Sequence, residues 1–325
     1  MVDTSKLTII FVHGLASKPP VADLHRLWKK AFIENIRVDS ITLANQLEAN
    51  PDIFKSAYWA NAIPDHIEDT AEYVTELNKA VNKVIAIRRK LKNQMHITSD
   101  GWVKAKAIKF GLNIVDALGS ALTIKDDVIE KYMREVRLYK NDQFIAEHIR
   151  QPLEEILSAA WDKKHKVVII SHSMGTFITY DVLWKYSHRS EEKYIKYRDK
   201  NVDYLITMGS PLGDEALRDF MLIERWKKAA ESKKAEERNR LYPLNIKQWH
   251  NFSAYADVVC HDSTLDDDFF EGMKKNVKNY KSGELTDYVK LYNPFENIDG
   301  DKNPHKSYGY LIQPKLSEKF KEFMS

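Results

Sequence analysis

The chain has 325 residues, enough to bury a large core, and we expect one domain that carries an insertion. Its 50 basic and 47 acidic residues leave a net charge of +3, and the even spread of charge argues against a nucleic-acid partner. The single cysteine, Cys260, excludes an internal disulfide and a cysteine-rich metal site. The N-terminal residues before the first apolar run are few and polar, and a single cysteine fits a reducing compartment. We therefore expect a cytoplasmic protein.

The first predicted strand, Leu7 to Val12, is a continuous apolar run that is typical of a strand buried on both faces of a parallel sheet. His13, Gly14 and Leu15 follow it directly. Backbone N–H groups held at such a strand end can stabilise the anion that forms when an acyl carbonyl is attacked. The N–H of Leu15 is therefore a candidate oxyanion donor, although the His-Gly pair alone also fits an ordinary turn.

A helix from Leu24 to Ile36 and a strand within Ile53 to Ile63 would complete a strand-helix-strand unit with parallel strands. The next helix is predicted to begin at Asp65 and to run for about seven turns. Asp65 and Glu68 resemble a capping box, and Ile67 would begin the apolar face of this helix.

A second helical stretch, Trp102 to Leu122, leads us to predict that residues 63–140 form a helical insertion. The insertion would either cap an active site or pack on the core as a plain hairpin. A third alternative is a lipid-facing surface, because Lys104, Lys106 and Lys109 precede a largely apolar segment. The sequence thus leaves peripheral membrane contact open.

Helices predicted at Asp127 to Tyr139 and at Gln143 to Trp161 lead into an apolar β-branched run, Val167 to Ile170. Ser-His-Ser-Met-Gly follows at 171–175, and then a helix-compatible segment at 176–186. This order of strand, sharp turn and helix presents a serine to a base beside a helix N-terminus. Ser173 is the candidate nucleophile, and the N–H of Met174 is the candidate second oxyanion donor.

The remaining predicted elements are short strands, followed by one closing helix. They are the strands Tyr204 to Met208, Trp249 to Tyr255 and Tyr288 to Tyr292, a charged helical segment at Asp214 to Arg240, and the helix Leu316 to Phe323. Together with the earlier strands they predict an α/β fold with a mainly parallel sheet flanked by helices.

A serine nucleophile on such a sheet needs an acid and then a histidine further along the chain. His305 lies in a loop beyond the last predicted strand and is the candidate base, with His261 as the alternative. Asp257 lies just past a strand and is the candidate acid, with Asp262 as a nearby substitute and Asp214 as the main alternative. We predict no metal, because Asp299-Gly300-Asp301 matches only part of a calcium loop.

These sites resemble the α/β-hydrolase superfamily, and within it the lipases and esterases. The resemblance is carried by His13-Gly14-Leu15, by Ser171-His172-Ser173-Met174-Gly175, by Met208-Gly209-Ser210-Pro211, and by Asp257 and His305. It covers roughly residues 5–62 and 142–325, and it departs from the usual G-x-S-x-G pattern at Ser171. The two edge strands that open fuller versions of this fold are absent from the prediction, since the first buried strand begins at Leu7.

The resemblance implies a core of residues 1–62 and 141–325, with 63–140 inserted. It also implies Ser173 as nucleophile, His305 as base, Asp257 as orienting acid, and Leu15 and Met174 as oxyanion donors. The expected protein is a cofactor-free serine hydrolase acting on small, lipid-like acyl esters. Alternatives are a thioesterase, amidase or acyltransferase with the same residues, or a non-catalytic binding protein of the same fold.

Overall fold

A computed structural model of the chain describes residues 3–15, 18–92, 126–214, 217–218, 242–260, 262–270 and 285–325. At its centre lies one six-stranded sheet with the order β2-β1-β3-β4-β5-β6, in which every neighbouring pair is parallel. The strands are β1 Leu7–Val12, β2 Phe54–Ala57, β3 Lys166–His172, β4 Tyr204–Met208, β5 Trp249–Ala254 and β6 Leu285–Leu291. The predicted α/β fold is confirmed.

Helices cover both faces of the sheet. They are α1 Val21–Asp39, α2 Ile41–Ala49, α3 Ala71–Leu91, α4 Asp126–Asn141, α5 Gln143–Asp162, α6 Met174–His188, α7 Glu192–Ile195, α8 Ser307–Leu311 and α9 Pro314–Met324. Most of the predicted helices differ from these by a few residues at their ends, where caps rather than periodicity decide the boundary.

Strand β1 shows why the sheet is buried on both sides. Ile10 and Val12 pack in the core beneath α4, α5 and α6, whereas Ile9 and Phe11 pack in the core beneath α1, α2, α3, α8 and α9. Alternate side chains of a strand point to opposite faces, so an unbroken apolar run supplies both cores.

The strand order reverses direction between β1 and β3, because β2 lies on the far side of β1 while β4, β5 and β6 continue beyond β3. Crevices at the carboxyl ends of parallel strands form at such a reversal. The turns after β1 and β3 therefore meet at the place where this architecture binds ligands.

The predicted start of the third helix was wrong. Asp65 has a left-handed backbone with φ 61°, which a helix cannot contain, and α3 begins six residues later with Thr70 as its cap. The Thr70 hydroxyl accepts a hydrogen bond from the N–H of Tyr73 at 3.2 Å. Ile67 consequently lies before the helix and is 73 % exposed.

Helix α3 packs directly on the core through the fully buried side chain of Arg88. Its guanidinium donates to Oδ1 of Asn35 at 2.7 Å and to Oδ2 of Asp39 at 2.5 Å, and both acceptors lie on α1. The second predicted helix of the insertion and its lysines, 104, 106 and 109, lie outside the described residues. The insertion and its role as a cap stay predictions.

Two strands have bounds that differ from the ranges predicted from the sequence. The strand expected within 53–63 is limited to Phe54–Ala57, and the last strand spans Leu285–Leu291 rather than 288–292. The charged segment predicted at 214–240 falls mostly outside the described residues. Among the helices that the structure describes, none combines the length and the apolar character needed to cross a membrane.

Candidate active site

The turn between β3 and α6 holds Ser173 in a strained backbone conformation, with φ 55° and ψ −131°. Such a conformation in a non-glycine residue persists only where its surroundings enforce it, and it is typical of functional sites. The N–H of Ser173 donates to the carbonyl of Met208 on the neighbouring strand at 3.1 Å. Its own carbonyl accepts from the backbone N–H and the hydroxyl of Thr176 at 2.9 and 2.7 Å.

Two glycines let the chain segments approach closely around this turn. A methyl group added at Gly175 would lie 2.5 Å from the carbonyl oxygen of His13, so α6 could not approach β1 with a larger residue there. A methyl group added at Gly14 would lie 2.6 Å from Cβ and 3.1 Å from Oγ of Ser173. The turn after β1 therefore runs directly beside the candidate nucleophile.

Ser171 stands where the usual pattern has its first glycine. Its side chain is fully buried, and its hydroxyl donates to the carbonyl of Ile206 on β4 at 3.3 Å. The replacement is accommodated because the small polar side chain turns toward the backbone of the next strand and finds an acceptor there.

Ser173, His305 and Asp257 form a continuous chain of hydrogen bonds. Nε2 of His305 lies 3.0 Å from Oγ of Ser173, while Nδ1 lies 2.9 Å from Oδ2 and 3.0 Å from Oδ1 of Asp257. An ionised carboxylate only accepts hydrogen bonds, so the proton of a neutral His305 resides on Nδ1. Nε2 is then free to accept the hydroxyl proton of Ser173.

The carboxylate of Asp257 is buried and satisfied on every side. It also accepts a hydrogen bond from the hydroxyl of Tyr310 at 2.5 Å and one from the N–H of Val259 at 3.0 Å. Burial by itself raises the pKa of Asp257, but the neighbouring His305 and these donors outweigh it, so the pKa lies below its ordinary value. The group is therefore ionised at neutral pH.

The alternative site residues fall elsewhere. Asp214 accepts a hydrogen bond from the N–H of Leu217 at 2.6 Å. His261 lies outside the described residues. Of the acids that the sequence left open, the structure brings Asp257 to His305.

The two predicted oxyanion donors flank the candidate nucleophile. Met174 is the first residue of α6, where backbone N–H groups have no partner within the helix. Leu15 directly follows Gly14, which lies against the hydroxyl of Ser173. Their role as donors stays a prediction.

His13 fixes the turn that contains Gly14. Its buried imidazole donates from Nδ1 to the carbonyl of Gly14 at 2.8 Å and accepts at Nε2 from the N–H of Trp59 at 3.1 Å. The indole of Trp59 stacks on this ring at 4.6 Å and donates to the carbonyl of His13 at 2.9 Å. The ends of β1 and β2 are thereby held together beside the site, and nothing in the sequence indicated the part played by Trp59.

We expect His13 to make the protein less stable in acid. Burial, assisted by the charge of Lys18, lowers the pKa of His13 well below its ordinary value of 6.5, so the folded protein keeps this ring neutral. The unfolded chain binds the proton below about pH 6.5, and the stability that His13 contributes is lost as the pH falls through the folded-state pKa. Chemical denaturation at a series of pH values measures how the free energy of unfolding changes with pH. The slope below about pH 6.5 should be smaller in His13→Phe than in the wild type by up to about 1.4 kcal/mol per pH unit. Equal slopes in the two proteins would contradict this expectation.

Gly209, at the end of β4, lies against the hydrogen bond between Asp257 and His305. It has a positive φ of 53°, and a methyl group there would lie 3.0 Å from Oδ2 of Asp257 and 3.1 Å from Nδ1 of His305. In the sequence, this glycine was notable only as part of the motif Met208-Gly209-Ser210-Pro211. The structure gives it a physical role, which is to leave room for the base and its acid.

Replacing Gly209 with alanine should therefore displace His305 and strain the backbone. We expect kcat/KM for an ester to fall by about 100-fold, because a shift of about 1 Å at a catalytic group has an effect of that size. Gly300→Ala is the matched control, since Gly300 also has a positive φ, of 92°, but has open space around it. Similar losses in the two variants would show that backbone strain, and not contact with His305, is responsible.

Comparison with known protein families gives a match to the part of the chain around Ser173. A family model described as lecithin:cholesterol acyltransferase matches residues 135–218, which is less than half of the chain. The matched range contains Ser173 and the strands on either side of it, β3 and β4, but neither Asp257 nor His305. No curated protein matches the chain, and no solved structure does.

Proposed function

We propose that this protein is a serine hydrolase that cleaves carboxylic esters through an acyl-enzyme on Ser173. The observation that carries the proposal is the hydrogen-bonded chain from Ser173 through His305 to Asp257, with Nε2 at 3.0 Å from the hydroxyl. Position and tautomer together suit proton transfer from the serine to the histidine.

In the first half of the reaction, Oγ of Ser173 attacks the acyl carbon of the ester, and Nε2 of His305 takes the hydroxyl proton. Asp257 stabilises the imidazolium that results. The backbone N–H groups of Leu15 and Met174 would stabilise the negative oxygen of the tetrahedral intermediate. When the intermediate collapses, the ester C–O bond breaks, His305 returns the proton to the leaving alkoxide, and an alcohol departs.

In the second half, a water molecule attacks the acyl-enzyme while His305 takes one of its protons. The bond between the acyl carbon and Oγ breaks, the proton returns to Ser173, and a carboxylic acid leaves. An alcohol in place of water would give a new ester by the same steps. Hydrolysis and acyl transfer therefore differ only in which acceptor reaches the acyl-enzyme.

The substrate that we propose is lipid-like. The support is the match of residues 135–218 to an acyltransferase family named for two lipids, lecithin and cholesterol. The same match favours acyl transfer as the second candidate function. Turnover of a phosphatidylcholine in the presence and absence of a sterol would distinguish hydrolysis from acyl transfer, because only a transferase converts the sterol into an ester.

Labelling with a fluorophosphonate tests the proposed nucleophile. The wild-type protein should react covalently, and Ser173→Ala should not react. Ser158→Ala is the matched control. Ser158 lies on α5, away from the turn after β3, and its hydroxyl lies 2.9 Å from that of Tyr186. No labelling of the wild type would favour a non-catalytic binding protein, whereas equal labelling of wild type and Ser173→Ala would show that the reactive residue is not Ser173.

A further inference from the structure

The main chain on both sides of His305 accepts hydrogen bonds from two buried side chains. Asn293 donates from Nδ2 to the carbonyl of Pro304 at 2.7 Å and to that of Lys306 at 3.0 Å. His172 donates from Nε2 to the carbonyl of His305 itself at 2.6 Å. Three consecutive carbonyl groups are thus held by two side chains, that of His172 at the end of β3 and that of Asn293 at the start of the loop that carries His305.

The amide of Asn293 has a single satisfactory orientation. Its Oδ1 accepts from the N–H of Phe295 at 3.1 Å, so Nδ2 must face the two carbonyl groups. A methyl group added at Gly309 would lie 1.5 Å from Oδ1, so α8 can pack over Asn293 only with glycine at that position. The side chain is therefore held in one place by α8 and by its own loop.

His172 connects the base to the strand that carries the nucleophile. It is the last residue of β3 and the chain neighbour of Ser173, and its ring lies 4.6 Å from that of His305 and 6.0 Å from that of Tyr310. Burial, together with the nearby His305, lowers the pKa of His172 well below its ordinary value. The ring is neutral, carries its proton on Nε2, and places no charge beside the base.

The segment that bears the base has little regular structure of its own. Between the end of β6 at Leu291 and the start of α8 at Ser307, the chain forms only an isolated bridge between Glu296 and Lys302. A loop of this kind takes its position from tertiary contacts rather than from a helix or strand. The hydrogen bond from His172 is such a contact, and the bonds from Asn293 join the start of the loop to its end.

We propose that His172 and Asn293 are positioning residues that hold the main chain of His305 so that Nε2 stays within hydrogen-bonding distance of Ser173. This inference rests on the proposed function and adds to it the reason why a base carried on a loop keeps its geometry. Neither residue touches the reacting atoms. Both act through the backbone of His305.

Three variants test the role of these donors. His172→Phe keeps an aromatic ring but removes the N–H, and His172→Gln returns an N–H at about the same reach. Asn293→Leu keeps the size of the side chain and removes both of its donors. We expect the rate constant for fluorophosphonate labelling and kcat to fall by about 10- to 100-fold in His172→Phe and Asn293→Leu, with KM little changed. His172→Gln should recover part of the loss.

The fraction of protein that is finally labelled separates positioning from folding. A displaced base slows the reaction, so the labelled fraction should still reach that of the wild type when the reaction is given time. A purely structural role would lower the final fraction and leave the rate constant of the remaining molecules unchanged, which would overturn the proposal. His165→Phe is the control, because His165 bonds to Thr8 at 3.0 Å, where Lys166 begins β3, at the other end of the strand from Ser173.

A spectroscopic measurement tests the inference without relying on activity. The proton between Nδ1 of His305 and Asp257 should give a low-field proton resonance in the wild type, assigned by its absence from His305→Ala. We expect it to broaden or disappear in His172→Phe and in Asn293→Leu. Absence of fluorophosphonate labelling at Ser173 in the wild type would contradict the proposed function alone. An unchanged resonance in both variants would contradict the positioning role.

Discussion

His305→Ala should lower kcat/KM for ester hydrolysis by about 10⁶-fold, the scale seen when the base of a serine hydrolase is removed. The expected size follows from the geometry, because His305 is the residue whose nitrogen lies 3.0 Å from Oγ of Ser173. Without it, the serine hydroxyl loses the nitrogen that accepts its proton and remains a weak nucleophile. Steady-state kinetics with a short-chain ester measures the loss.

Two further variants make this result specific. His165→Ala should keep nearly the wild-type rate, since His165 lies at the other end of β3 and bonds to Thr8. His261→Ala examines the alternative base that the sequence left open. A large loss in His261→Ala with little loss in His305→Ala would contradict the assignment of the base.

Asp257→Asn should reduce kcat by about 10⁴-fold while the protein stays folded. The N–H of Val259 donates to Oδ1 at 3.0 Å, so the amide oxygen of the new asparagine would face Val259. Its NH₂ group would then point toward Tyr310 and His305, and Nδ1 of His305 would have to accept. That tautomer carries its proton on Nε2, where it cannot take the proton of Ser173.

Asp214→Asn is the matched control for the acid. Asp214 is also buried and also follows a strand, but it accepts from the N–H of Leu217. We expect little loss of stability, because the oxygen of the new asparagine can still accept from the N–H of Leu217, and a loss in kcat of less than about tenfold. Thermal unfolding and kinetics on both variants would decide, and a larger kinetic loss in Asp214→Asn would reverse the assignment of the acid.

The sheet and the nucleophile turn could be predicted from the sequence because both depend on local patterns. Strands buried on two faces are mostly apolar, as Leu7–Val12 and Tyr204–Met208 are. The turn at Ser173 needs small neighbours on a strand-to-helix connection, and such neighbours can be recognised along the chain. The carboxyl ends of the strands then bring the candidate residues to one edge of the sheet.

Other features depended on contacts that no local pattern encodes. Asp257 and Asp214 both follow strands, and only the packing of the loop around His305 distinguishes them. Tyr310 lies 53 residues from Asp257 along the chain, and its hydroxyl gave no local signal of the bond to that carboxylate. His172 was part of the recognised motif, but its bond to the carbonyl of His305 spans 133 residues.

The predicted start of α3 failed for a different physical reason. Asp65 and Glu68 match a capping box in the sequence, but Thr70, only five residues after Asp65, is also a residue type that can cap a helix. The left-handed φ of 61° at Asp65 excludes it from a helix, and the Thr70 hydroxyl caps the first turn instead. Local capping patterns identify a helix start only when a single candidate is present.

The covalent intermediate gives the most direct test of the central claim, which is that Ser173 carries the acyl group. Asp257→Asn, in which the attack of water should be slower than acylation by an activated ester, would be incubated with such an ester until acylation is complete, quenched in acid and analysed by mass spectrometry after proteolysis. We predict one added acyl mass, located on the peptide that contains Ser173, and none in the Ser173→Ala protein. Ester turnover by the wild type together with an acyl mass on another residue would contradict the account.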